Sequence, residues 1–158
     1  MSVFTKDAAP RTPLEPLTRD RVAASLQAKE WSSFVDSDGD LGGFWENNVF
    51  YFLIAGQKKE ILQVRGVWRE RLPAAERPRV LGLVSDWNTR KLWPKAVVQE
   101  VDDELVVRGE VTVDYEHGLT DEQLAQHVRC AISTTLDLFR HLGEHYAHVA
   151  VEPEPDAN

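Results

Sequence analysis

Cysteine is nearly absent from this sequence. Cys130 stands alone, so no disulfide can form within the chain, a pattern that suits a reducing compartment. Positive charge is also in short supply. The 18 Lys and Arg are outnumbered by 26 Asp and Glu, and the formal net charge of −8 repels nucleic-acid phosphates and anionic membrane surfaces alike. Neither nucleic acid nor membrane is therefore expected as a partner. Long apolar runs are missing as well: the longest, Val49 to Ala55, is far too short to span a bilayer. The opening MSVFTKDAAPRTP has no apolar signal stretch, and a cytoplasmic protein is the expectation. No G-x-S-x-G, P-loop or H-E-x-x-H occurs, and no nucleophile, base and orienting group can be assembled. No cofactor and no catalytic residue are expected.

What is present fits one α+β domain. Residues 16–149 form the expected domain, with disordered tails at 1–15 and 150–158, both rich in proline and polar residues. Thr18 has the position of a helix N-cap, and Leu17 and Val22 the spacing of a hydrophobic staple. Asn47-Asn48 reads as a hairpin turn between FWE and VFYFLI, and a third strand runs from Ile61 to about Trp68. Pro73 opens a second helix to about Lys91, with Pro78 in its first turn. Lys95–Val101 and Glu104–Tyr115 read as a hairpin around Asp102-Asp103. In its second strand Leu105, Val107, Val111, Val113 and Tyr115 face one side, and Glu104, Arg108, Glu110, Thr112 and Asp114 face water or a partner. The last helix starts with a capping box, Thr120 and Gln123, and carries an apolar stripe from Leu124 to Tyr146. The order αβββαββα implies a five-stranded antiparallel sheet with helices mainly on one face.

Four places could carry chemistry. Asp36, Asp38 and Asp40 alternate as the acids of a calcium loop do. Counted from Asp36, the sixth position is Leu41 rather than glycine and the twelfth is Asn47 rather than glutamate; counted from Asp38, the twelfth is Val49. Without the bidentate ligand, a polar turn is the preferred reading and no metal site is assigned. His141, His145 and His148 share one face of an unbroken helix, as zinc or nickel ligands would, but protonated histidines at a helix C-terminus also suit the helix dipole. Cys130 lies one turn from His127, although a buried structural thiol is the preferred reading. The segment DWNTRKLWPK (86–95) concentrates two tryptophans and three cations; core packing by Trp87 and Trp93, with Asn88 tying off backbone groups, competes with a partner-binding surface.

The segments DSDGDLGG (36–43), WENNVFYF (45–52), ILQVRGVW (61–68), WNTRKLWPK (87–95) and HGLTDEQL (117–124), in this order, resemble the YbjN-like family of bacterial sensory transduction regulators, and its actinobacterial branch most of all. The resemblance spans roughly Thr18 to Tyr146. It implies a fold similar to class I type III secretion chaperones, which are small, acidic, dimeric α+β proteins. It also marks Asp38, Asp40, Trp87, Asn88, Trp93, Lys95 and His117 as candidate partner- or ligand-binding residues. The expected function is a non-enzymatic regulatory or chaperone-like module that engages a protein or peptide partner as a homodimer. The alternative is a small-ligand or metal-responsive sensor using the Asp36/Asp38/Asp40 turn or the His141/His145/His148 face.

Overall fold

Two hairpins outline the sheet, each turning on a pair of residues in the left-handed region. These are Glu46 (φ 50°) with Asn47 (φ 63°), and Asp102 (φ 52°) with Asp103 (φ 63°). Two successive positive φ values give a turn whose twist matches that of its flanking strands. The computed structural model describes residues 12–147. His148 and the expected tails, apart from residues 12–15, lie outside the described residues.

Helix α1 (Arg19–Gln27) starts as its sequence implies, with Thr18 Oγ1 accepting from the Arg21 N–H. Strands β1 (Phe34–Val35), β2 (Leu41–Trp45), β3 (Asn48–Ala55) and β4 (Ile61–Pro73) follow, then a 3₁₀ turn at Ala74–Glu76 and helix α2 (Arg77–Arg90). Strands β5 (Lys95–Val101) and β6 (Glu104–Asp114) lead to helix α3 (Asp121–Tyr146). The sheet is antiparallel, in the order β1-β2-β3-β4-β6-β5. It has six strands rather than the expected five, because two residues, Phe34 and Val35, pair with Gly42 and Leu41. So short a strand has no periodicity to read.

Four other boundaries differ from the expectation. The first hairpin turns at Glu46-Asn47, and Asn48 is buried in β3, where its amide donates to the carbonyls of Trp45 and Glu46 and its Oδ1 accepts from Arg69 N. Strand β4 passes Trp68, the expected end, and reaches Pro73 through a bulge between Val67 and Arg71. Pro73 therefore ends a strand instead of opening a helix, while Pro78 does fall in the first turn of α2. Glu15, the last residue of the expected N-terminal tail, is bridged to Leu119.

The helices pack on one face of the sheet. The α3 stripe of Leu124, Val128, Ala131, Thr135, Phe139, Leu142 and Tyr146 is buried throughout. It lies over Phe50, Phe52, Leu62, Val64, Leu105, Val107 and Val111 in one core. The closest approach is at Gly66 and Gly109, which face each other across β4 and β6. A Cβ at Gly66 would stand 2.6 Å from Thr135 Cγ2, and one at Gly109 2.8 Å from the same atom, so glycine is what lets α3 sit this low.

Candidate functional site

The marked residues fall in three places. At the α2–β5 junction, Trp87 is buried and its Nε1–H donates to Pro94 O at 3.2 Å. Asn88 treats β5 as a neighbouring strand would: Nδ2 donates to Ala96 O at 3.0 Å, and Oδ1 accepts from Ala96 N at 2.8 Å. These two side chains hold the junction together. Trp93, 51% exposed, and Leu92, 87% exposed, leave apolar surface uncovered beside them, and Lys95 opens β5 in solvent.

Asp38 and Asp40 lie at the opposite edge of the sheet, in the β1–β2 turn. Asp36 Oδ1 accepts from Asp38 N at 3.0 Å and from Asp40 N at 2.9 Å, Gly39 takes φ 86°, and Arg19 donates to Gly39 O. The Asp36 carboxylate is thus engaged by the turn's own N–H groups, the arrangement of an aspartate-centred turn. His117 is on the exposed β6–α3 connection, 3.2 Å from Glu116 Oε1. The marked residues therefore share no single pocket.

Of the histidines on α3, His141 packs on Trp87 with ring centroids 5.6 Å apart and meets His145 edge-on at 4.7 Å. Among the described residues no three histidine, cysteine or acidic side chains are grouped closely enough to hold a metal ion. His127 is buried and turned to the sheet: Nδ1 accepts from Tyr115 Oη at 3.0 Å if Nε2, 3.4 Å from Val111 O, carries the proton. Burial lowers its pKa from 6.5, opposed by the bond to the Val111 carbonyl, and burial raises that of Tyr115. With both ring nitrogens committed, this imidazole is not a base for Cys130.

The sheet face away from the helices brings the marked Lys95 together with residues that sequence reasoning did not mark as a site. Strand register aligns Phe34, Gly42, Tyr51, Arg65, Glu110 and Lys95 in one row across all six strands. The adjacent row is Phe44, Val49, Val67, Arg108 and Val97. Phe34 lies over Gly42, where a Cβ would come within 2.5 Å of its ring, and stacks near Phe44 and Tyr51. Glu110, expected on the wet face, is buried at 8% exposure by the cations around it. Arg65 Nε donates to Glu110 Oε1 at 3.1 Å; Arg108 Nε lies 3.0 Å from the same oxygen without hydrogen-bond alignment; Lys95 Nζ is 3.9 Å from Oε2. The sequence does carry a signal for this cluster, the tripeptide Val-Arg-Gly at 64–66 and again at 107–109. Antiparallel pairing at Gly66 and Gly109 brings both arginines to one face, on either side of that glycine pair.

A groove of about 690 Å³ lies elsewhere, between the end of β4 and the end of α3, and is lined by Trp68, Arg69, Arg71, Phe139, Arg140 and Tyr146. The Tyr146 pKa is raised by burial first and by neighbouring Glu76 second, with Arg79 opposing. Among the described residues no helix is long and apolar enough to cross a membrane.

An antiparallel sheet with three helices packed on one face, and no helix over the other among the described residues, defines a small α+β domain. The chain belongs to the YbjN family: residues 18–144 match that family, described as "Putative bacterial sensory transduction regulator". The fold is similar to the crystal structure of YbjN from E. coli, described as "a putative transcription regulator", with a TM-score of 0.69 at 20% identity over 84% of this chain and 96% of that one. No curated protein matches the sequence.

Proposed function

We propose that this chain is a cytoplasmic, non-enzymatic regulatory or chaperone-like module that binds a protein or peptide partner and acts as a homodimer. The observation that carries the reading is the uncovered sheet face, with Phe44 left 65% exposed while all three helices pack on the other side. Exposed Leu92 and Trp93 extend the accessible apolar surface at the β5 edge. Exposed aromatics beside cations are the side chains that anchor interfaces. The family's description as a regulator accords with a role exercised through binding.

The test is affinity capture from the native cytoplasm with mass spectrometry, alongside sedimentation of the purified chain. Because Trp87 supports the core, the control variants are Leu92→Ser with Trp93→Ala, and Phe44→Ser, all at exposed positions. The expected result is a dimer that retains a discrete protein, with retention reduced in at least one folded control. A monomer that retains nothing would contradict the reading.

A further inference from the structure

We propose that the uncovered face binds an acidic amphipathic peptide segment laid across the strands, apolar along one side and carboxylate-rich along the other. The proposal rests on the peptide-binding reading above and adds both the surface and the chemistry of the partner. Its first ground is charge. Arg65, Arg108 and Lys95 converge on Glu110, three cations against one carboxylate, which leaves two positive charges on a chain whose net charge is −8. Glu110 uses only part of their hydrogen-bonding capacity. Arg65 spends Nε on Glu110 and Nη2 on Gln63, and Arg108 spends Nη1 on Gln99, so each guanidinium keeps a terminal nitrogen without a hydrogen-bond partner among the described residues. A guanidinium is suited to take a further carboxylate in a paired geometry.

The second ground is the pattern. The row that holds Arg65 and Lys95 runs beside the row of Phe44, Val49, Val67, Arg108 and Val97, so cations cluster towards β4, β6 and β5 next to apolar side chains that continue to β2. From β2 to β5 the face spans about 19 Å at roughly 4.8 Å per strand, the length of about thirteen residues of helix. A helical segment with leucines on one side and glutamates on the other meets both rows at once. A second copy of this chain is a poorer occupant. Face-to-face pairing of two copies would bring together two clusters that each carry the same surplus of positive charge.

The experiment titrates the full chain into a fluorescein-labelled Leu/Glu amphipathic peptide, with Leu/Lys and scrambled Leu/Glu peptides as controls. The substitutions are Lys95→Glu and Phe44→Ser, at positions 73% and 65% exposed, whereas Arg65 and Arg108 are left in place because they neutralise Glu110. Saturable binding of the Leu/Glu peptide is expected, weakened about tenfold or more by each substitution. It should also weaken between about 0.1 M and 1 M salt, as the Debye length falls from about 10 Å to about 3 Å. No binding, equal binding of the Leu/Lys peptide, or binding indifferent to both substitutions would overturn the proposal. So would tighter binding of a short DNA duplex or of phosphatidylglycerol vesicles to the same face. A protein captured from lysate that still binds both variants would overturn this surface while leaving the peptide-binding reading intact; failure of capture as well would remove both.

Discussion

Glu110, on the open face of β6, and His127, packed from α3 against the other face, show how single residues on the two sides of one strand answer to different physics. Glu110 is a buried carboxylate made tolerable by adjacent cations, and its partners remain 25–30% exposed at the arginines, so solvent screens part of the attraction. Replacing Glu110 with Gln should cost about 1–2 kcal/mol in denaturant unfolding, because the arginines lose a charged acceptor but keep access to water. His127 works in the other direction. Its folded pKa is held below the ordinary 6.5 by burial, so the folded state binds fewer protons than the unfolded state as pH drops. Its contribution to stability is complete above pH 6.5 and is lost as pH falls toward the folded value. Unfolding measured across that range should show stability declining on acidification, with a shallower decline in a His127→Gln variant; an unchanged slope would contradict the assignment. Arg21 is a third case: it donates to the carbonyls of Glu15, Pro16 and Leu119 and pairs with Asp121, tying the segment before α1 to the start of α3. Arg21→Ala should lower stability by about 2 kcal/mol in the same assay.

Among the elements, helices were the most legible in the sequence. The capping box of α3 forms in full, with Thr120 N donating to Gln123 Oε1 at 2.9 Å and Gln123 N to Thr120 Oγ1 at 3.1 Å. Local hydrogen-bond chemistry of this kind is written in neighbouring residues. Strand partners are not, since β4 pairs with β6 across a connection that contains α2 and β5. The row of Tyr51, Arg65, Glu110 and Lys95 therefore exists only once the register is known, and the repeated Val-Arg-Gly went unread because its meaning depends on which strands meet. The Asn47-Asn48 reading was one residue late for a similar reason: Asn48 is held by a tertiary bond from Arg69 N. The junction residues were legible in kind, but sequence could not separate buried Trp87 from exposed Trp93. Helix–sheet packing gives a sharp test. Gly66→Ala would place a methyl within 2.7 Å of both Thr135 and Phe50, and should cost about 1–3 kcal/mol of stability by overpacking. Gly82→Ala, with open space around its Cβ, should be neutral or stabilising by up to about 1 kcal/mol in mid-helix.

At the scale of the whole molecule, the domain separates its tasks by face. One side of the sheet is committed to the core with α3, and the other presents apolar and cationic side chains with no helix over them among the described residues. This division fits a protein that works by presenting a surface. Hydroxyl-radical footprinting of the chain alone and with its captured partner tests it most directly, because oxidation reports side-chain access residue by residue. Protection should be concentrated at Phe44 and Tyr51, with Trp93 reporting on the adjoining edge and the outward side of α3 unchanged. Protection confined to the helical side, with Phe44 as reactive in the complex as in the free chain, would contradict it.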